Sequence, residues 1–185
     1  MGKKIIILAS GGGTNAQNII QYFNNHSNIN VLIVLCNRKE AGVYNRVNAL
    51  GVQCQWFDAS NDLILEDHVK QQQPDLIVLA GYLKKIPSSL VKCYPNKIIN
   101  IHPALLPKYG GKGMYGMHVH NAVKAAAERE SGITIHYVNE QYDEGGVILQ
   151  KAVPLDPQDT PSEIAAKVQQ LEYAHYPKVI EQLLS

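Results

Sequence analysis

Two polar side chains that follow an apolar run have the types and spacing needed to act on a carbonyl group. Asn100 and His102 stand two positions apart after Lys97-Ile98-Ile99. Side chains at i and i+2 of a strand share a face, so the amide and the imidazole are predicted to point together. An amide N–H stabilises a developing oxyanion, and an imidazole gives or takes a proton near neutral pH. The pair is therefore a candidate catalytic site; the alternative is an Asn and a His that are only hydrogen-bonded at a strand end.

The turn at residues 11–15 is a candidate anion site between an apolar run and a helical pattern. Its glycines allow a close backbone approach, and the free N–H groups and dipole at a helix N-terminus favour a phosphate. The alternative is a tight turn that binds no ligand. The glycine spacing also fits a dinucleotide site. However, the second strand ends in Cys36-Asn37-Arg38 without the acidic residue that NAD requires, which argues against NAD and leaves only NADP.

A third candidate is the turn Tyr142-Asp143-Glu144-Gly145-Gly146 between two apolar strands. Acidic residues beside paired glycines are typical of a solvated turn. The functional interpretation is that Asp143 folds back against His102, favours the imidazolium and raises the pKa of that histidine.

The composition excludes several classes of protein. A length of 185 residues fits one domain, and a net charge of +1 gives no argument for nucleic acid or an anionic membrane. The three cysteines are widely spaced without a C-x-x-C, which is typical of reduced thiols in a cytoplasm. The histidines His118, His120 and His136 lack an H-x-x-x-H or Cys–His spacing, so no metal site is predicted.

The first half of the chain alternates apolar strands with helical patterns. Strands are predicted at 4–9, 31–36, 54–57, 76–80 and 97–102, and helices at 15–23, 44–50, 63–72 and 87–92. This alternation is typical of a doubly wound, mostly parallel twisted sheet, an α/β fold with a Rossmann-like N-terminal half. Pro103 keeps His102 extended at the carboxyl end of the fifth strand, where such sheets bind ligands.

The pattern changes in the second half of the chain. Glycines and prolines crowd residues 103–116 and predict an irregular, mobile loop, followed by a helix at 117–129. Strands at 132–138 and 147–153 are joined by only eight residues, too few for a helical crossover, so they are predicted to be antiparallel.

The last helix opens on Thr160-Pro161-Ser162-Glu163, a capping box with proline at the first helical position. It is predicted to run through Tyr173, with an extension past Pro177 to Leu184 left open. The chain has no repeats and no linkers, so we expect one domain.

Three segments together resemble the phosphoribosylglycinamide formyltransferases, folate-dependent enzymes of purine synthesis. They are Ser10–Asn15 after the first strand, Asn100–Pro107, and Asp143–Gly146 before a strand. The Asn-Ile-His-Pro segment is shared by 10-formyltetrahydrofolate-dependent hydrolases and transferases, whereas the glycine loop and the short length select this family. The resemblance implies one formyltransferase domain at 1–185, with a phosphate-binding half at about 1–100 and a folate and catalytic half at about 80–185.

The resemblance also implies a set of site residues. Asn100, His102 and Asp143 would be catalytic. The ribose phosphate would be held by Gly12, Gly13, Thr14 and Asn15, and the ribosyl hydroxyls by Glu172. The pterin would lie between two segments, Leu83, Lys84, Lys85 and Ile86 on one side and Asn139, Glu140, Gln141, Tyr142 and Asp143 on the other.

The implied reaction transfers a formyl group from the co-substrate 10-formyltetrahydrofolate to the amine of 5-phosphoribosylglycinamide, without a metal. Asn100 and a cationic His102 would stabilise the tetrahedral oxyanion, and Asp143 would keep His102 protonated. Three alternatives remain: formyl transfer to another amine such as an amino sugar, an NADP-binding reductase, and a non-enzymatic domain that binds a phosphorylated metabolite. We expect a cytoplasmic monomer or homodimer that acts on small molecules and binds neither nucleic acid nor membrane.

Overall fold

The computed structural model describes residues 2–185 and contains one seven-stranded β-sheet with helices on both faces. The strands are β1 Lys3–Ala9, β2 Ile29–Cys36, β3 Cys54–Trp56, β4 Leu76–Leu79, β5 Ile98–His102, β6 Glu130–Tyr137 and β7 Val147–Pro154. The helices are α1 Thr14–Phe23, α2 Val43–Asn48, α3 Asp62–Gln72, α4 Ser88–Cys93, α5 Met117–Ala125 and α6 Pro161–Leu184.

The order of the strands in the sheet, β3-β2-β1-β4-β5-β6-β7, confirms the predicted α/β fold. The strands β1 to β5 run parallel, whereas β6 pairs antiparallel with both β5 and β7. The chain moves from β1 to one side through β2 and β3, and then returns to place β4 on the other side of β1. The carboxyl ends of β1 and β4 therefore flank a topological switch point, where open α/β sheets bind ligands.

Two apolar cores cover the two faces of the sheet, because its central strands are buried on both sides. On one face Ile5 and Ile7 belong to a core shared with α1, α2, α5 and α6. On the other face Ile6 and Leu8 belong to a core shared with α3 and α4. Alternate side chains of β1 thus enter opposite cores, as the pleat of a strand requires. This packing fixes the strand ends that carry the polar residues.

The helix predicted at 117–129 is shorter in the structure, where α5 ends at Ala125. Ala127 has a left-handed φ of 48°, a conformation that residues other than glycine rarely adopt and that cannot continue a helix. Glu128 then accepts hydrogen bonds from Lys108 Nζ and the Tyr109 hydroxyl, both at 2.8 Å. The prediction was wrong at this end because these tertiary contacts outweigh the helix preference of three successive alanines.

The last helix begins where the capping box predicted. The Glu163 amide donates to Thr160 Oγ1 at 3.3 Å, and the Thr160 amide donates to Glu163 Oε2 at 2.7 Å. These two bonds satisfy amides at the start of α6 that have no partner within the helix.

The same helix continues past Pro177 to Leu184, which settles the extension that the sequence left open. A proline inside a helix leaves the carbonyl four residues earlier without an amide donor. Here that carbonyl belongs to Tyr173, and Asn18 Nδ2 donates to it at 3.1 Å. Although α6 has 24 residues, no helix within residues 2–185 is both long and apolar enough to cross a membrane.

Candidate active site

A cavity of about 770 Å³ opens at the carboxyl ends of the central strands, and its volume suits a small-molecule site. Parallel strands end at the same edge of a sheet, so the segments that follow β1, β4 and β5 meet there. Residues that the sequence assigned to three different roles line this one cavity: Asn15, Leu83, Lys84, Lys85, Ile86, Asn100, His102, Asn139, Gln141, Tyr142, Asp143 and Glu172.

Asn100 is held by two neighbours from the second half of the chain. Its Nδ2 lies 3.2 Å from His136 Nε2 and 3.4 Å from Asp143 Oδ1. The other ring nitrogen of His136, Nδ1, lies 2.8 Å from the Tyr137 carbonyl oxygen, which can only accept. Nδ1 therefore carries the proton, and in the neutral ring Nε2 accepts from Asn100. These contacts fix the orientation of the Asn100 amide, with Nδ2 facing His136 and Asp143.

His102 is buried, with 4% of its surface exposed, and both its nitrogens face acceptors. Nε2 donates to the Tyr109 carbonyl oxygen at 2.7 Å, and Nδ1 lies 3.6 Å from Asp143 Oδ2. The proximity of Asp143 to His102, which spacing could not show, is thus present in the fold. Both Tyr109 and Asp143 have a φ of 57°, a conformation that costs energy outside glycine and clusters at functional sites.

The ionisation of this pair differs from the prediction. Burial lowers the pKa of His102, and this effect outweighs the opposite effects of the Asp143 carboxylate and the Tyr109 carbonyl. Asp143 does raise this pKa, but desolvation of the buried imidazolium has the larger effect, so the net shift is downward and not upward as predicted. That Asp143 keeps His102 protonated during the reaction stays a prediction.

Asp143 itself is held in the ionised state. Burial pushes its pKa upward, but the His136 ring 3.5 Å from Oδ1, the charge of His102 and the Gly111 amide together bring its pKa below the ordinary value. The Gly111 amide donates to Oδ2 at 2.9 Å. The turn that carries Asp143 packs so tightly that a Cβ on Gly145 would overlap the Tyr137 carbonyl. Gly145 thus allows this close approach, and the turn places the Asp143 carboxylate beside the histidines while Glu144 stays exposed.

The glycine turn lies at the N-terminus of α1, as predicted. Gly13 precedes the helix with a φ of 78°, and a Cβ there would lie 2.5 Å from Val43 Cγ2, so a side chain is excluded. Of the predicted phosphate residues, Asn15 lines the cavity, whereas Gly12, Gly13 and Thr14 do not belong to its wall.

Asn15 connects this turn to the last helix. Its Nδ2 donates to Glu172 Oε2 at 2.9 Å, and Gln169 Nε2 lies 3.4 Å from Thr14 Oγ1. Burial raises the pKa of Glu172 to about 7, with the bond from Asn15 acting in the opposite direction. The sequence positions assigned to phosphate and ribose are therefore brought together from opposite ends of the chain.

The two segments assigned to the pterin face the same cavity, with one exception. Leu83–Ile86 and Val138 line it together with Asn139, Gln141 and Tyr142. Glu140 does not, and its Oε1 instead lies 3.5 Å from Lys92 Nζ at the surface.

Sequence reasoning missed three contributors to the site. The Tyr109 carbonyl and the Gly111 amide are backbone groups, so no residue type announces them. His136 was considered only as a metal ligand, although its place opposite Asn100 in the β5–β6 register follows from strand pairing. Within residues 2–185, the fold assembles no group of three or more His, Cys, Asp or Glu side chains suited to holding a metal ion.

The comparison with protein families gives the class to which this fold and site belong. The family model described as Formyl transferase matches residues 3–180, nearly the whole chain. The chain therefore belongs to the formyl transferase family.

Its curated relatives include several named phosphoribosylglycinamide formyltransferase. The Bacillus subtilis protein is 34% identical over 190 residues, covering 98% of this chain and 95% of the relative. The chloroplastic protein of Arabidopsis thaliana is 40% identical over 187 residues, covering 96% of this chain. This chain spans 64% of the length of that plant protein and 61% of the one from Vigna unguiculata.

Solved structures agree with these relatives. The glycinamide ribonucleotide transformylase 1 of Geobacillus kaustophilus superimposes with a TM-score of 0.89 at 33% identity, covering both chains completely. The phosphoribosylglycinamide formyltransferase of Streptococcus pneumoniae gives a TM-score of 0.88 at 33% identity, covering 99% of each chain.

Proposed function

We propose that this protein transfers a formyl group from 10-formyltetrahydrofolate to the amine of 5-phosphoribosylglycinamide, a step of purine synthesis. The observation that carries the proposal is one cavity lined by the predicted catalytic residues, by the predicted folate-binding residues apart from Glu140, and by Asn15 and Glu172 of the predicted sugar-phosphate set. Relatives named for this activity match along nearly the whole chain, which supports the same assignment.

Residues from the two ends of the chain bind the acceptor, 5-phosphoribosylglycinamide. The phosphate lies at the N-terminus of α1, where the amides of Gly12–Asn15 and the helix dipole favour an anion. Glu172 receives the ribosyl hydroxyls, since its carboxyl group is buried in the cavity wall beside Asn15. This leaves the glycinamide amine directed toward the cluster around Asn100.

The donor, 10-formyltetrahydrofolate, lies against the remaining wall of the cavity. Leu83–Ile86 supply apolar surface and backbone groups after β4, and Asn139 to Asp143 close the other side, with Glu140 excepted. A volume of about 770 Å³ is within the range of sites that hold a ligand of this size. The formyl group then lies beside Asn100 and His102.

The reaction begins when the amine attacks the formyl carbon and the carbonyl electron pair moves to oxygen. Asn100 Nδ2 has two N–H groups, of which one is taken by His136 at 3.2 Å. The other has only the long 3.4 Å contact with Asp143, so it is the one available to the oxyanion. Such a preorganised donor stabilises charge as it develops.

His102 acts through its charge, because both of its nitrogens face protein acceptors. Burial lowers the pKa of His102. A developing oxyanion adds a second negative charge beside Asp143; this raises the pKa of His102 and favours the imidazolium, whose extra proton comes from solvent and not from the amine. When the carbonyl re-forms, the C–N10 bond breaks with its electron pair left on N10, and N10 takes the proton that the attacking amine has lost.

A formyl-transfer assay with 10-formyltetrahydrofolate and 5-phosphoribosylglycinamide tests the proposal. We expect the wild-type protein to be active and Asn100→Ala or His102→Ala to lower kcat by ~10²-fold or more, the usual loss for an oxyanion donor. Asn121→Ala, which truncates an exposed side chain on α5, is the matched control and is expected to keep wild-type kcat. An inactive wild type, or full activity in either site variant, contradicts the assignment.

A further inference from the structure

Three histidines line the cavity, and they differ in what their ring nitrogens contact. His102 bonds the Tyr109 carbonyl and faces Asp143, and His136 bonds the Tyr137 carbonyl and Asn100 Nδ2. Within residues 2–185, His120 makes no hydrogen bond through either nitrogen, and its Nδ1 is buried without a partner. His120 is thus the cavity histidine whose ring nitrogens have no hydrogen-bond partner within the described residues.

The position of His120 directs one nitrogen into the cavity. The residue lies on α5 with 6% of its surface exposed, and Nδ1 is sealed from solvent. Nε2 is not sealed in this way, although it also lacks a protein partner, so it is the ring nitrogen that a bound ligand reaches. Either neutral tautomer is available, since neither breaks a hydrogen bond within the described chain.

A purely structural role does not account for this side chain. Leaving a buried polar atom without a partner costs about 1–3 kcal/mol, and most buried polar groups in folded proteins have one. His118, two residues earlier on the same helix, is exposed and packs edge-on against Tyr115 with 5.3 Å between ring centroids. The burial and the free nitrogens therefore distinguish His120 from its neighbour on α5.

The protonation state of His120 suits a base. Burial lowers the pKa of His120, and the charge of His102 on β5 lowers it further. These two effects keep the imidazole neutral near pH 7.

We propose that His120 is a further catalytic residue, which accepts through Nε2 the proton that the attacking amine loses. This inference rests on the proposed function. The nitrogen–carbon bond forms as the carbonyl pair moves to oxygen, and the proton leaves the amine nitrogen for Nε2. When the carbonyl re-forms, the C–N10 electron pair stays on N10, and the His120 imidazolium returns its proton to that nitrogen. The proton count is thereby closed, with no other co-reactant.

The test compares His120→Gln with the matched control His118→Gln in the complete transfer reaction. A general base contributes typically ~10²–10⁴-fold, so His120→Gln is expected to lower kcat by ~10²-fold or more. The KM values of both substrates should stay within about threefold of wild type, because glutamine is polar and similar in reach. His118→Gln is expected to keep wild-type kcat.

Two further measurements separate catalysis from folding. His120→Ala leaves space for a free imidazole, and added imidazole is expected to restore part of its kcat, which a structural defect would not allow. The fall of kcat/KM toward low pH should also be shallower in His120→Gln than in wild type, since the base that becomes protonated is gone. Full kcat in His120→Gln, or loss of activity in His120→Ala without imidazole rescue, overturns the inference. An inactive wild type instead refutes the proposed function, and this inference with it.

Discussion

His102 shows how single residues set the chemistry of the cavity. Its two partners, the Tyr109 carbonyl at 2.7 Å and the Asp143 carboxylate at 3.6 Å, both favour the imidazolium. Burial opposes them and lowers the pKa of His102 overall. One negative charge added beside His102 would raise its pKa, because the contacts that favour the imidazolium are already formed. The histidine is therefore poised for a reaction that creates an anion beside it.

Glu172 gives a prediction about stability at the same scale. Burial raises its pKa from 4.5 to about 7. The folded protein therefore holds this proton more tightly than the unfolded chain, so stability falls as pH rises from 4.5, and the loss is complete above about pH 7. At about 1.4 kcal/mol for each pKa unit, the ionised carboxylate costs on the order of 3 kcal/mol at pH 8.

Glu172→Gln removes this cost, because the amide stays neutral and can still accept from Asn15. Thermal unfolding at pH 5 and pH 8 should show a small gain in Tm at pH 5 and a much larger one at pH 8. Glu144→Gln, at an exposed position, serves as the control and should give the same change at both pH values. Equal gains at both pH values in Glu172→Gln would show that burial does not raise this pKa.

At the scale of elements, strand pairing decides which polar side chains meet. The antiparallel register of β5 and β6 sets Asn100 opposite His136 and His102 opposite Thr134. Thr134 in turn accepts from the Leu106 amide at 3.0 Å and donates to the Ala104 carbonyl at 2.7 Å, so the chain after His102 is fixed against β6. A shift of one residue would turn these side chains to the other face and dismantle the site.

Helix α6 gives a prediction at this scale. Pro177 has no amide to offer the Tyr173 carbonyl, and Asn18 Nδ2 on α1 donates to it at 3.1 Å instead. Asn18→Ala leaves that carbonyl unpaired and should lower the free energy of unfolding by about 1 kcal/mol, measured by urea denaturation. In a Pro177→Ala background the helix supplies its own amide, so the same Asn18→Ala change should cost less.

Gln21→Ala, at an exposed position on α1, is the control. It should change the free energy of unfolding equally with and without Pro177→Ala. An Asn18→Ala cost that does not change when Pro177 is replaced would mean that the side chain stabilises α1 and α6 by another contact.

At the scale of the whole molecule, α6 is joined to the centre of the sheet by one buried hydroxyl. Tyr176 is fully buried, and its hydroxyl lies 2.9 Å from the Leu79 carbonyl oxygen and 3.3 Å from that of Ile99. These carbonyls belong to β4 and β5, the strands that lead to the cavity. The contact thus connects the helix that carries Glu172 to the strand that carries Asn100. It fixes the position of one side of the cavity relative to the other.

Tyr176→Phe removes this connection without changing the packed ring. We expect the free energy of unfolding to fall by about 1–3 kcal/mol, since buried carbonyls lose their donor. Tyr173→Phe is the matched control on the same helix, because the Tyr173 hydroxyl has no hydrogen bond within residues 2–185, and it should be nearly neutral. Chemical denaturation of both variants measures the difference, and equal losses would contradict the role given to the Tyr176 hydroxyl.

The local features of this protein were readable from its sequence. The apolar run of β1, the capping box at Thr160 and the change of pattern after Pro103 each reflect contacts within a few residues, so their structures follow from local geometry. The shared face of Asn100 and His102 follows from the alternation of a strand in the same way. These features were enough to predict the fold class and the edge of the sheet at which the candidate site lies.

Other features depend on the tertiary structure. Asp143 approaches His102 from 41 positions along the chain, and Asn15 meets Glu172 across 157. The net pKa of His102, the free nitrogens of His120 and the outward turn of Glu140 depend on burial and on partners of this kind. Spacing carries no information about them, because desolvation and long-range contacts are properties of the packed molecule rather than of any segment.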